Sequence, residues 1–115
     1  MKAIHAYVRQ QLAEHIVGAL VAAGCSKMSV LDVRGITHDT TQRSLDYSVE
    51  LAQRVEHVVK IEIICTDDDA ARWTPLLIAS ASTRQPGDGL VCVLPVEEGI
   101  SISTGARGDS ALEPR

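Results

Sequence analysis

The chain has 115 residues, enough for one domain with a real core but near the lower end of the usual size range. Apolar residues make up 45% and charged residues 23%, ordinary for a globular protein. With no Phe, one Trp and two Tyr, aliphatic side chains must fill the core. A formal charge of -4 and a pI near 5.5, with Lys and Arg scattered among carboxylates, argue against sequence-independent nucleic-acid binding, which needs clustered basic residues.

The opening MKAIHAYVRQ enters a strand pattern at once and does not read as a signal peptide, and no apolar run approaches a membrane span. Cys25, Cys65 and Cys92 are widely spaced among apolar residues and read as small buried hydrophobes. The expectation is a soluble cytoplasmic protein.

Ile4–Val8 alternates apolar residues with His5 and Tyr7, the period of a strand. Leu12, Ile16, Ala19, Leu20 and Ala23 recur at helical spacing, and Gly24 is a natural stop. A β reading resumes over Met28–Val33 and again over Val58–Cys65, where Lys60 and Glu62 break in on one face. Thr66 followed by Asp67, Asp68 and Asp69 is a helix start, a hydroxyl cap and then carboxylates favoured by the helix dipole. That helix is predicted to run to about Ala81, although Pro75 leaves open a start later than Thr66. Arg84–Gly89 is a turn cluster, Leu90–Leu94 a short strand, and Ile100–Ser103 a final alternating piece.

The order is β-α-β-β-α-β, an α+β, ferredoxin-like sandwich. Helices on one face of a four-stranded sheet leave the other face, with Tyr7, in need of a partner. An oligomer is expected. Between the second and third strands lies a long excursion, GITHDTTQRSLDYSVELAQRVEHVVK from Gly35 to Lys60. Hairpin loops usually need two to five residues, so a connector this long in a short chain points to a part that meets a partner.

Several separated blocks, in order and at matching spacing, resemble the PII (nitrogen regulatory protein P-II) family of trimeric signal-transduction proteins. They are Met28-Ser29-Val30 with Arg34-Gly35; Lys60-Ile61-Glu62-Ile63; Thr83 with Gly87-Asp88-Gly89; and Pro95-Val96-Glu97-Glu98 with Thr104-Gly105-Ala106-Arg107-Gly108. The resemblance covers almost the whole chain. It implies a single domain over 1–115 that forms a homotrimer, with a T-loop at about 36–55 and a C-terminal tail at about 106–115. It also implies a non-enzymatic regulator that senses an adenine nucleotide in clefts between subunits, with no cofactor required. Such a regulator reports through the T-loop to a membrane transporter or enzyme, which gives a cytoplasmic protein that a transporter can recruit to the inner membrane.

In that family the loop matching Gly87, Asp88 and Gly89 passes around the nucleotide phosphates, because glycine lets backbone N–H groups approach an anion. Read without the resemblance, Asp-Gly before a strand is a plain turn signal. Thr83 and Arg84 stand at the mouth of that loop, where a hydroxyl and a guanidinium could reach phosphate. The base pocket maps onto Tyr7, Met28, Ser29, Gly35, Glu62 and Ile64. Glu62 reads either as a buried carboxylate that demands a partner or as half of a Lys60–Glu62 surface pair.

The chain departs from the pattern in places that matter. Leu90 stands where the family usually has lysine, and Ser101 and Ser103 where it has arginines, so three cations that clamp the outer phosphates of ATP are missing. The expectation is weak ATP binding, a preference for AMP, ADP or another small nucleotide, or an empty site. Asp39 and Val58 replace the glutamine and lysine used for 2-oxoglutarate, and Leu51 replaces the tyrosine that many bacterial members modify. In the T-loop Leu45, Tyr47, Val49 and Leu51 alternate with polar residues, a strand pattern that a helix fits as well. With Arg43 these are the expected partner contacts. The YSVEL stretch resembles a divergent PII-like group linked with heavy-metal efflux. His38, Asp39, Glu56 and His57 are therefore candidate metal ligands, although no HxH or CxxC spacing supports them. The competing functions are a metal-responsive or metal-binding regulator of an efflux system and a small-molecule enzyme on the same scaffold, for which no Cys–His or Ser–His pairing speaks.

Overall fold

A computed structural model describes residues 1–36 and 55–113. In chain order they form β1 (Lys2–Arg9), α1 (Ala13–Ala22), β2 (Ser29–Ile36), β3 (Val55–Cys65), α2 (Asp67–Ala81) and β4 (Gly89–Pro95). The strands make one antiparallel sheet in the order β2-β3-β1-β4. This is the expected ferredoxin-like topology, with β1 and β3 at the centre.

Strand alternation sets the two faces of the sheet. Ile4, Ala6 and Val8 of β1 and Val59, Ile61 and Ile63 of β3 are buried under Ile16 and Leu20 of α1 and Trp73 and Leu77 of α2. Aliphatic side chains fill this core around the single Trp. Its indole N–H donates to the Ala23 carbonyl at 3.2 Å, which ties the second helix to the end of the first. Cys25 and Cys65 join the core as small hydrophobes, while Cys92 is only half-buried on the opposite face.

The helix ends follow local chemistry. At the end of α1 the Gly24 amide donates to Val21 and the Cys25 amide to Leu20, and Gly24 takes φ +96°, where a side chain would be strained. At the start of α2 the Thr66 hydroxyl oxygen accepts from the Asp69 amide at 3.1 Å, so the helix begins directly after Thr66. Pro75 sits inside the helix on its exposed side without ending it. Just before it, the Thr74 hydroxyl donates to the Ala70 carbonyl one turn back at 2.7 Å.

One expected element is different. Ile100–Ser103 is not a strand: only Ile100 forms a bridge, to Arg107, and residues 102–104 are a turn. Here the Ser101 amide donates to Ala106 and the Gly105 amide to Ser101, so the backbone bonds close locally and not onto the sheet. β2 and β3 also reach further than their apolar runs, to Ile36 and from Val55.

Candidate functional site

The ends of β1 and β2, the start of β3 and the loop before β4 meet at one end of the sheet. The register aligns Arg9 with Val58, Arg34 with His57, and Val8 with Gly89. There they line an open cleft of about 1040 Å³, just above the usual range of small-molecule sites. Tyr7, Arg9, Arg34 and Gly35 line one side, and Gly87, Asp88, Gly89 and Leu90 the other.

The glycine loop is built around the carboxylate of Asp88. Oδ1 accepts from Arg9 Nε at 3.0 Å and from the Thr83 hydroxyl, and Oδ2 accepts from the Thr83 amide at 2.8 Å and the Gln85 amide at 3.4 Å. Thr83 and its neighbours hold the Asp88 carboxyl far below the usual carboxylate range, so it is ionised at any physiological pH. The same network holds Arg84 at φ 61°, unusual for a residue with a side chain, while its amide donates to the Ser82 hydroxyl oxygen at 3.3 Å. The amides of residues 83–85 are thereby used inside the loop. Among the described residues, nothing accepts from the amides of Gly87 and Asp88. Gly89 is fixed by space: a Cβ would lie 1.8 Å from the Tyr7 carbonyl oxygen, at φ +119°.

The open face of the sheet continues from the cleft. Lys60 Nζ is 2.7 Å from Glu62 Oε1 and 5.4 Å from the centre of the Tyr7 ring. Each partner of the ion pair stabilises the charged form of the other: the Lys60 pKa is raised by Glu62 and that of Glu62 lowered by Lys60. Glu62 is thus part of a partly exposed ion pair and not a buried, unpartnered carboxylate.

The expected site residues fall into two groups within one chain. Tyr7, Gly35, Gly87, Asp88 and Gly89 line the cleft, and Thr83 and Arg84 begin its loop. Glu62 and Ser29 are register partners further along the sheet, Ile64 lies beyond them and exposed, and Met28 packs against the core. Leu90 is 62% exposed beside Tyr7, and the Ser101 and Ser103 hydroxyls lie 3.3 Å apart on the 99–108 turn. The expected partner contacts Arg43, Leu45, Tyr47, Val49 and Leu51, and the metal candidates His38 and Asp39, lie outside the described residues, as does the Glu56 side chain. His57 lines the cleft, and among the described residues no group of three or more His, Cys, Asp or Glu is placed to hold a metal ion.

Comparison with known proteins decides the family. The family model described as "Nitrogen regulatory protein P-II" matches residues 1–106. The chain belongs to the P-II family. Nitrogen regulatory protein P-II 2 of Methanothermobacter thermautotrophicus is 34% identical to it, over 97% of both chains. The P-II protein of Nostoc punctiforme is also 34% identical, over 97% of this chain and all of its own length. Among solved structures, Arabidopsis thaliana PII bound to citrate superposes with a TM-score of 0.77 at 28% identity, covering 99% of this chain and 91% of that one. The Methanothermobacter and Nostoc relatives are named as regulatory proteins, and this P-II chain is a regulator and not an enzyme.

In this P-II chain the site residue that sequence reading missed is Arg9. Strand alternation places it on the same face as Tyr7, which was the available signal, but its partner lies 79 residues away.

Proposed function

We propose that this P-II chain is a trimeric sensor of an adenine nucleotide that acts on a transporter or enzyme through residues 36–55. One observation carries the reading: the Asp88-centred loop, with the Gly87 and Asp88 amides unused inside the described protein, faces a cleft that Tyr7 and Gly35 also line. Backbone amides in such a loop suit a phosphate, and the aromatic ring suits a base. In a trimer, the second group of residues, Met28, Ser29, Glu62 and Ile64, comes to this cleft from the neighbouring subunit and completes the base pocket. The half-exposed apolar side chains on the open face, among them Leu31, Ile64, Leu90 and Leu94, are the surface that assembly would cover. A relative whose structure holds citrate, a small polyanion, supports an anionic effector.

Leu90, Ser101 and Ser103 shift the choice among nucleotides. An aliphatic side chain at the cleft and two serines bonded to each other supply no charge to a triphosphate. The reading is therefore a site for AMP or ADP, with ATP held no better. Asp39, Val58 and Leu51 in place of the residues used for 2-oxoglutarate and for covalent modification set both of those inputs aside.

A thermal-shift screen with AMP, ADP, ATP, cyclic nucleotides, bicarbonate and divalent metals tests this. A ligand that binds only the native state raises the melting temperature, by about 2.7 kcal/mol of stabilisation at a hundredfold excess over Kd. A shift with AMP or ADP is expected. A shift with metals alone sinks the nucleotide reading in favour of a metal-responsive regulator.

A further inference from the structure

Arg9 ends β1 and makes two separate contacts with the glycine loop. Nε donates to Asp88 Oδ1 at 3.0 Å, and a terminal nitrogen donates to the Pro86 carbonyl at 3.0 Å. Gly87, at φ +91° where a side chain would be strained, lies beside this crossing, its Cβ position 3.4 Å from the same terminal nitrogen. A negative charge beside an anion site would repel the ligand, and here the Asp88 carboxylate is turned to Arg9, Thr83 and Gln85.

We infer that Arg9 is the positioning residue of the anion loop: it holds Asp88 and the Pro86 carbonyl together and so fixes the backbone that offers the Gly87 and Asp88 amides to a phosphate. This rests on the nucleotide reading above. Arg9 acts through Asp88, and the planar guanidinium is what allows two acceptors to be held at once. A lysine in its place reaches one acceptor or the other. The loop is then preformed before ligand arrives, which reduces the ordering cost of binding.

The test compares the full-length protein with Arg9→Met, Arg9→Lys, Asp88→Asn and the Arg9→Met/Asp88→Asn double variant. ADP affinity is read by calorimetry, and amide exchange at Thr83 and Gln85 by NMR. Arg9→Met is expected to weaken ADP binding about tenfold, a factor that corresponds to one broken charge-assisted contact. Asp88→Asn should cost about as much, the double variant no more than either, and Arg9→Lys should recover part of the loss. The Thr83 and Gln85 amides should exchange faster in Arg9→Met while those of α1 do not, which separates loop release from general destabilisation. Unchanged ADP affinity in Arg9→Met overturns the inference. So does full affinity in Asp88→Asn beside lost affinity in Arg9→Met, because Arg9 would then be touching the ligand. If the unmodified protein binds no ADP, the nucleotide reading fails, and Arg9 is judged on exchange alone: unchanged exchange overturns it, and faster exchange confined to the loop upholds it.

Discussion

Gly89 carries two constraints at once. Its φ of +119° suits only glycine, and a Cβ would sit 1.8 Å from the Tyr7 carbonyl oxygen on the neighbouring strand. Backbone cannot step aside as a flexible side chain can. Gly89→Ala should cost roughly 2–4 kcal/mol, checked by urea unfolding followed through Trp73 fluorescence. An effect near zero would mean that β1 and β4 do not approach as described. The core cysteines make a second residue-scale prediction. Burial pushes the Cys65 thiol up to about 11 from an ordinary 9.0, and Cys25 is raised for the same reason. A raised native pKa leaves stability intact below the unfolded value and removes it as pH climbs through the native one. Stability should therefore hold up to about pH 9 and decline towards pH 11. At pH 8 iodoacetamide should label neither Cys25 nor Cys65 without prior unfolding, and rapid labelling in the native state would contradict their burial.

At the level of elements, the parts of the chain that speak through local chemistry were legible in the sequence. Thr66 with three aspartates marked the start of α2, and the cap bond to Asp69 is there. Thr66→Ala should cost about 1 kcal/mol, and a thermal melt by circular dichroism that stays unchanged would show the cap to be incidental. Pro75 pointed to a later start because proline normally weakens a helix interior; on an exposed side the helix runs through it. Ile100–Ser103 misled because alternation of apolar and polar residues is only a pattern of faces. The local bonds from Ser101 to Ala106 and from Gly105 to Ser101 spend the same backbone groups on a turn. Of the site, Gly87-Asp88-Gly89 was legible as a turn before β4. Asp88 turning inward to Arg9 was not, since a contact spanning 79 residues leaves no local trace. Glu62 was ambiguous for a related reason. Sequence placed Lys60 on its face, and only the packing shows the two within 2.7 Å.

Taken whole, the molecule is a P-II subunit with one covered and one open sheet face. In the proposed trimer its base pocket combines residues that lie at the cleft with residues further along the sheet, the second set coming from a neighbouring subunit. On the proposed reading, a trimer would complete the site and cover the apolar residues of the open face. Sedimentation equilibrium should return about three times the 12.3 kDa of the chain, and a monomer would leave the cleft incomplete. On the proposed reading, a nucleotide site persists here without the cations that would hold the outer phosphates of ATP. Titration calorimetry with ADP and with magnesium-ATP tests it most directly, on the protein and on a Leu90→Lys/Ser101→Arg/Ser103→Arg variant. ATP should bind no tighter than ADP in the protein, and the variant should gain about tenfold or more for ATP. Tight, magnesium-dependent ATP binding by the unmodified protein would contradict this reading.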